Sequence, residues 1–241
     1  MTRKPRPTFD ASFLGVDIHS HLVPGIDDGA KDLADSLSLI RGLADIGYKK
    51  IITTPHIMSE YYPNTPDGIL GGLAQVKSAM AQHSIEMEIE AAAEYFLDEE
   101  FSRLLASDED LITFGGNQLL IEFFTLTEPL NAQDTIFAIS ARGLQPVLAH
   151  PERYLYYTDE FSKFEQFKAA GCYFQINLLS LAGHYGPEQK KLALRLLKAG
   201  MVDYLGSDLH HQRHLDKIKS LDRSTVKLLE GYSFRNKELM K

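Results

Sequence analysis

The residues best suited to chemistry begin with His19 and His21 in Asp17-Ile18-His19-Ser20-His21. Side chains alternate along an extended strand, so two imidazoles spaced this way project to one side and offer half of a metal site. Pro24-Gly25 and Asp27-Asp28-Gly29 are turn signals that bring carboxylates, Asp28 among them, to the same mouth. Alone, a His-x-His pair is more often incidental than ligating. Ligand-type residues then recur at the ends of apolar stretches. They are His56 after Ile51-Ile52-Thr53-Thr54-Pro55, Glu94 after Ala91-Ala92-Ala93, Glu122 within Leu119-Leu120-Ile121-Glu122-Phe123-Phe124, His150 after Pro146-Val147-Leu148-Ala149, and Asp208 and His210 at the end of the stretch opening at Val202. Each has a bland explanation by itself. Glu94 or Glu122 could pair with a buried arginine, since an unpaired charge there costs several kcal/mol, and His150 could cap a turn before Pro151. Coincidence at nearly every strand end is harder to explain. Nitrogen and carboxylate donors without thiols suit Zn, Mn or Fe. Their number exceeds what one tetrahedral ion needs, which points to more than one metal. His83, His184 and His211 lack such support and read as surface residues, while His214 stays open.

Such residues need elements to hold them. Leu33, Leu37, Ile40, Leu43 and Ile46 recur at helical spacing and stop at Gly47. Similar stripes predict helices over 66–82 and about 98–106, around Ile136 and Ile139, across Phe161, Phe164 and Phe167, from Pro187 to Gly200, and a last one from about 214 to 230. Strands are expected at 17–21, 51–54, 87–96, 119–124, 146–149, 173–177 and 202–208. Alternating strand and helix predicts parallel strands with right-handed crossovers. The first strand is not followed by Gly-x-Gly-x-x-Gly, which weakens a dinucleotide-binding sheet. About seven strands favour an α/β fold of the distorted TIM-like (β/α)7 barrel kind, with the site at the strand C-terminal ends. Residues 1–14 are expected to be a flexible N-terminal extension, and 15–241 one domain.

The 241 residues are 44% hydrophobic and 24% charged, ample for a core, and the net charge of -8 argues against a general nucleic-acid binder. It leaves room for a phosphorylated substrate, because bound cations reverse the local sign. Cys172 is the only cysteine, so no internal disulfide or Cys-rich metal site is possible. The opening Met1-Thr2-Arg3-Lys4-Pro5-Arg6-Pro7 is not followed by an apolar run of signal-peptide length, and no stretch suits a bilayer span. The expectation is a cytoplasmic protein without membrane insertion.

Asp17-Ile18-His19-Ser20-His21, Asp27-Asp28-Gly29, Thr54-Pro55-His56, Ala93-Glu94-Tyr95, Ile121-Glu122-Phe123, Ala149-His150-Pro151-Glu152-Arg153 and Ser207-Asp208-Leu209-His210 together resemble the signature of the polymerase and histidinol phosphatase (PHP) superfamily. More narrowly, they resemble its metal-dependent bacterial protein-tyrosine phosphatases of the capsule and exopolysaccharide type (CpsB/CapC-like), in the same order from about residue 15 to 235. The resemblance implies up to three divalent ions, generally manganese, with Zn, Fe or Co possible. It implies His19, His21, Glu94 and Asp208 around the first, Glu94, Glu122 and His150 around the second, and Asp28, His56 and His210 around the third. It implies that Arg153 grips phosphate, with Asp208 and His210 beside it in catalysis. Arg213 is a candidate second phosphate-binding arginine, although His211-Gln212-Arg213-His214 is more compact than the family's usual stretch. The implied partner is the phosphotyrosine tail of a bacterial tyrosine autokinase controlling polysaccharide synthesis.

The chemistry expected is hydrolysis of a phosphate monoester by a metal-bound hydroxide, because coordination lowers the pKa of water to about 7. A cysteine route fails on spacing, since it needs an arginine six positions after the nucleophile and Leu178 occupies that place after Cys172. Tyr61, Tyr62, Tyr154, Tyr156 and Tyr157 could form a rim for a phosphotyrosine ring, with Tyr62 and Tyr156 the chosen candidates. The competing readings are a small-molecule phosphatase of the histidinol-phosphate type, a nuclease-like phosphodiesterase, an amidohydrolase, and a non-catalytic metal-bound regulator. Oligomerisation stays possible.

Overall fold

The computed structural model describes residues 9–107 and 109–240. In chain order its regular elements are β1 (Val16–Asp17), α1 (Leu33–Asp45), β2 (Lys50–Thr53), β3 (His56–Ile57), α2 (Pro66–Gln82), β4 (Glu88–Ala91), β5 (Glu94–Phe96), α3 (Glu99–Ala106), β6 (Gln118–Glu122), α4 (Ala132–Ala141), β7 (Gln145–Ala149), α5 (Ser162–Ala169), β8 (Tyr173–Asn177), α6 (Leu178–Leu181), α7 (Pro187–Lys198), β9 (Tyr204–Gly206), α8 (Gln212–Lys219) and α9 (Arg223–Glu230). No helix among the described residues is long and apolar enough to cross a membrane.

The helices start where side chains can satisfy free backbone N–H groups. Asp32, Thr65, Asp98 and Asp222 each accept from the N–H three residues on, at the heads of α1, α2, α3 and α9. Asp222 also explains a departure from expectation. The apolar stripe from 214 to 230 suggests one helix, but α8 ends before Asp222, whose side chain caps α9 instead.

All named strand pairs are parallel, in a three-stranded sheet ordered β1-β2-β4 and a six-stranded sheet ordered β3-β5-β6-β7-β8-β9. The strand expected at 51–54 ends at Thr53 and is followed after Pro55 by a separate short strand, β3, and the stretch 87–96, expected as a single strand, is broken in two. Thr53 pairs with Ala91 and, three residues on, His56 pairs with Glu94, so the register survives and the chain only kinks. Pro55 lies in the kink, with no N–H to give a ladder, while its carbonyl accepts from Glu94 N at 3.0 Å. Just past the kink the side chains of His56 and Glu94 meet, Nδ1 to Oε2 at 3.1 Å.

The ladders form two sheets rather than one closed ring. Between β1 and β9 the chain is joined by other means. Asn236 Nδ2 donates to Val16 O at 2.9 Å and to Leu205 O, while its Oδ1 accepts from Leu205 N at 3.1 Å. Asp17 accepts from the backbone and hydroxyl of Ser207, each at 2.8 Å, and further along His21 N donates to Leu209 O at 2.9 Å.

Strand alternation sorts the interior. Leu120, Val147 and Ala149 join Val16, Ile18, Ile52 and Tyr204 in a small buried cluster on one face. Leu119, Ile121 and Leu148 point the other way into the larger core beneath the helices. Glu122, Gln175 and Asn177 continue the inner face towards the strand C-terminal ends. The N-terminal segment corrects one expectation. Residues 9–14 are not a flexible extension, because Phe9, Ala11 and Leu14 are buried, Asp10 caps a short 3-10 turn, and Ala11 N donates to Ile46 O at 2.6 Å. Residues 1–8 lie outside the described residues.

Candidate functional site

His19 and His21 are both fully buried just beyond β1. The loop after them folds back tightly, with Ala30 N donating to His21 O at 2.9 Å. Only glycine permits this at position 29, since a Cβ there would collide with the backbone oxygen and Cβ of His21. The fold-back seats Asp27 Oδ2 2.8 Å from His21 Nδ1. Accepting that N–H leaves Nε2 as the nitrogen free to ligate.

The strand ends deliver the rest. Glu94 is the centre of the group: its Oε2 is 3.2 Å from His19 Nε2, 3.6 Å from His21 Nε2 and 3.1 Å from His56 Nδ1, while its Oε1 is 3.1 Å from His150 Nε2. Asp208 Oδ1 faces His19 Nε2 at 3.4 Å and His21 Nε2 at 3.6 Å. Glu122 approaches His150 at 3.4 Å and His56 at 3.7 Å. Asp28 Oδ1 lies 3.3 Å from His210 Nε2 and 3.5 Å from His56 Nε2. Donor atoms close enough to share an ion fall into overlapping groups: His21, Asp28, His56 and His210; His19, His21 and Glu94; His19, His150 and Asp208; and His56, Glu94 and Glu122. This grouping overlaps the one implied by resemblance without repeating it, since His21 joins the Asp28 group.

Behind the donors runs a chain of amides on β8. Asp208 is a carboxylate and only accepts, so Asn177 must offer it Nδ2, at 2.6 Å. Asn177 Oδ1 then accepts from Gln175 Nε2 at 2.9 Å, and Gln175 Oε1 accepts from His19 Nδ1 at 2.7 Å. One carboxylate thus fixes the orientation of two amides and the tautomer of a histidine, leaving His19 Nε2 to the cluster. Gly206 makes room for this arrangement, because a Cβ there would meet His19 Cβ at 2.7 Å and the Gln175 amide.

His150 and Asp208 carry positive φ values of 33° and 49°. A non-glycine residue held in that region costs on the order of 1–3 kcal/mol and persists where surrounding contacts impose it. Both positions sit where strands β7 and β9 hand over to site loops.

The donor atoms fit bound cations. His19 Nε2, His21 Nε2, His56 Nδ1 and Glu94 Oε2 are buried without a hydrogen-bond partner, a costly state unless something positive engages them. Burial disfavours the imidazolium form of His19 and His56, but Glu94 with Asp208, and Glu94 with Glu122, outweigh it and push both rings up to about 10. Burial likewise opposes ionisation of Glu94 and Asp208, and is outweighed first by His19, so both stay well below the carboxylate range. The field in this pocket selects positive charge.

An open cavity of about 530 Å³ covers the cluster, lined among others by Asp28, His56, Tyr62, Phe124, Arg153 and Tyr185. Arg153 Nη1 approaches Asp208 Oδ2 at 3.6 Å. Tyr62 stacks on His56, with centroids 5.4 Å apart and planes at 11°. Tyr61 also lines the cavity and is 73% exposed. Tyr156 is not part of this lining, and its hydroxyl donates to Phe124 O at 3.0 Å. Tyr154 and Tyr157 are core residues. Arg213 is exposed and does not line the cavity, since the first turn of α8 turns His214 inward and leaves Arg213 to solvent. His211, expected at the surface, lines the cavity with His214, whereas His83 and His184 are exposed. Sequence reasoning missed the supporting roles of Asp27 and Gln175 and the presence of Tyr185. The usable signal for Gln175 was a polar side chain on the inner parity of an apolar strand.

Parallel α/β strands whose C-terminal ends converge on a nitrogen-and-carboxylate donor cluster define a scaffold of the metal-dependent hydrolase kind. Residues 15–227 match the CpsB/CapC family, described as capsular polysaccharide synthesis, and the chain belongs to that family. It is 31% identical over 196 residues to the tyrosine-protein phosphatase YwqE of Bacillus subtilis, covering 81% of this chain and 77% of that one. It is 27% identical over 201 residues to the tyrosine-protein phosphatase CpsB of Streptococcus agalactiae, covering 81% and 83%. A solved structure reported for YwqE from Bacillus subtilis and CpsB from Streptococcus pneumoniae, described as unique metal-dependent tyrosine phosphatases, superposes with a TM-score of 0.80 at 29% identity. It covers 93% of this chain and 90% of that chain.

Proposed function

We propose that the chain is a metal-dependent protein-tyrosine phosphatase. The observation that carries the reading is the buried convergence of unpartnered donor atoms from His19, His21, His56 and Glu94 beneath a cavity whose wall holds Arg153. Divalent ions held by His19, His21, Glu94 and Asp208, by Glu94, Glu122 and His150, and by Asp28, His56 and His210 would activate water and neutralise phosphoryl oxygens. Manganese is our choice among the ions this donor set suits.

The chain's own residues supply the rest. Arg153, partly exposed at 27% of its side chain, binds and orients the phosphoryl oxygens. Asp208 and His210, with Oδ1 and Nδ1 3.5 Å apart, hold the charge pattern around the reacting group. Tyr62, already stacked on His56, offers a face for the substrate ring. A tyrosyl leaving group has a pKa of about 10, so the chain has little need of a strong general acid. An open cavity rimmed by aromatic side chains suits a tyrosine on a peptide. The phosphotyrosine tail of a bacterial tyrosine kinase in the cytoplasm, acting in capsule or exopolysaccharide synthesis, is the partner we favour, on the strength of the family match and the relatives' names.

We also propose that residues 15–241 act as one domain, and that the strands wrap into a distorted barrel of seven units. The contacts of Asn236, Asp17 and Leu209 between β1 and β9 support such closure.

The test is phosphate release from a phosphotyrosine peptide, beside histidinol phosphate and a phosphodiester, using chelated protein with and without manganese. Metal-restored activity selective for the peptide, lost in His21→Ala and strongly reduced in Arg153→Ala, supports the reading. Preference for histidinol phosphate moves the substrate, and absence of turnover with any metal defeats the enzyme reading.

A further inference from the structure

Tyr185 lies in the loop between α6 and α7, and no pattern in the sequence marks it. The loop is formed by flanking glycines in the left-handed region, Gly183 at φ +73° and Gly186 at φ +125°. Gly183 N and His184 N donate to Ser180 O and Leu179 O, each at 2.9 Å, which anchors the loop to the end of α6. From there the side chain reaches the wall of the site cavity.

Its contacts there are of two kinds. The hydroxyl donates to Asp208 Oδ2 at 2.9 Å, joining Asn177 Nδ2 on the same oxygen. The ring lies under the Arg153 guanidinium, 4.7 Å from Cζ to the centroid. Arg153 Nη1 in turn stands 3.6 Å from that same Asp208 oxygen. Tyrosine, carboxylate and guanidinium therefore close a triangle. Tyr154 is a useful contrast, since its hydroxyl is spent on backbone, donating to Ala149 O at 3.0 Å and accepting from Phe123 N at 2.9 Å.

We propose that Tyr185 is a positioning residue serving both halves of the site. Its hydroxyl, with Asn177, occupies Asp208 Oδ2 and so keeps Oδ1 turned to His19 and His21. Its ring carries Arg153 on a flat, weakly attractive face, which lets the guanidinium meet an incoming phosphoryl group already oriented. The inference rests on the phosphatase reading, but its two halves can be read without turnover.

The experiment uses the full chain and the variants Tyr185→Phe and Tyr185→Leu. Manganese affinity is measured by equilibrium titration of chelated protein, and inorganic phosphate binding by calorimetry at saturating manganese. The values kcat and KM are taken with a phosphotyrosine peptide. Tyr185→Phe loses the hydroxyl and keeps the ring, so manganese binding weakens about tenfold, as for other residues that orient ligands. Its phosphate affinity stays within about twofold of wild type, because the ring still supports Arg153. Tyr185→Leu loses both, and its phosphate affinity falls about tenfold with a matching rise in KM. Wild-type manganese affinity in Tyr185→Phe, or wild-type phosphate affinity in Tyr185→Leu, overturns the proposal, including where the melting temperature falls. If Tyr185→Leu does not fold, Tyr185→Met carries the same test. A wild-type protein that releases no phosphate from any monoester defeats the phosphatase reading alone, since the two titrations still decide the role of Tyr185.

Discussion

Gln175 Oε1 accepts the Nδ1 hydrogen of His19 at 2.7 Å, and that contact decides which nitrogen of His19 faces Glu94 and Asp208. The orientation of Gln175 is itself imposed, through Asn177, by the carboxylate of Asp208. A strand residue with no ligand atom of its own thus couples two of the proposed ligands.

Replacing that amide should therefore be felt at the metal. Gln175→Leu keeps an approximately similar volume on the inner face of β8 but frees the His19 ring to rotate. Manganese affinity is expected to fall about 10–100-fold. Titration of the chelated variant checks this, and an affinity equal to wild type removes the amide chain from the account.

Glu94 should be the most sensitive carboxylate, because its two oxygens face His19, His21, His56 and His150. Glu94→Gln is expected to lower phosphate release from a phosphotyrosine peptide by more than about 100-fold, beyond the usual effect of a supporting residue. Steady-state assays at several manganese concentrations measure it. A loss of tenfold or less would mean that no proposed ion depends on this residue.

Metal should also stabilise the fold, since it engages donor atoms left unpartnered when buried. At a free concentration about 100 times Kd, binding adds about 2.7 kcal/mol to stability. Thermal melts of chelated protein should shift upward on adding manganese. The shift should be smaller at pH 6 than at pH 8, because protons compete for ligands that bind as neutral imidazole or carboxylate. A melt that ignores every divalent ion would argue against the site.

Cys172 is fully buried, and burial pushes its thiol up to about 12. The thiolate is therefore suppressed across neutral pH, so the native protein should resist thiol reagents and react only after unfolding. Cys172→Ala should retain metal-dependent phosphatase activity within about twofold, as befits a small core residue. Inactivation of native protein by a thiol reagent at pH 7.5 would reverse this view.

Asn236 joins β1 to β9 through Val16 and Leu205. Asn236→Ala leaves those backbone groups buried and unpaired, at a cost of about 3 kcal/mol. Urea unfolding with and without saturating manganese would measure it.

The sequence by itself determined the donor types and their order. His19, His21, His56, Glu94, Glu122, His150, Asp208 and His210 each follow or end an apolar run, and strand periodicity is a local property that survives in one dimension. It also determined the alternation of strands and helices, because those stripes and their Gly and Pro boundaries are local. The breaks at Pro55 and at Ala92-Ala93 were less legible, since a kink that preserves register leaves the apolar pattern intact. Likewise Asp222 divides the last stripe by a capping contact that competes with periodicity. Tertiary structure alone decided what depends on distant neighbours. Arg213 turns to solvent while His214 turns in, Tyr154 and Tyr157 sink into the core, and Phe9 to Leu14 pack rather than fray. Gln175, Asn177 and Tyr185 converge on His19, Asp208 and Arg153. Hydrogen-bond orientation is a property of pairs far apart in the chain, and only folding brings those pairs within reach.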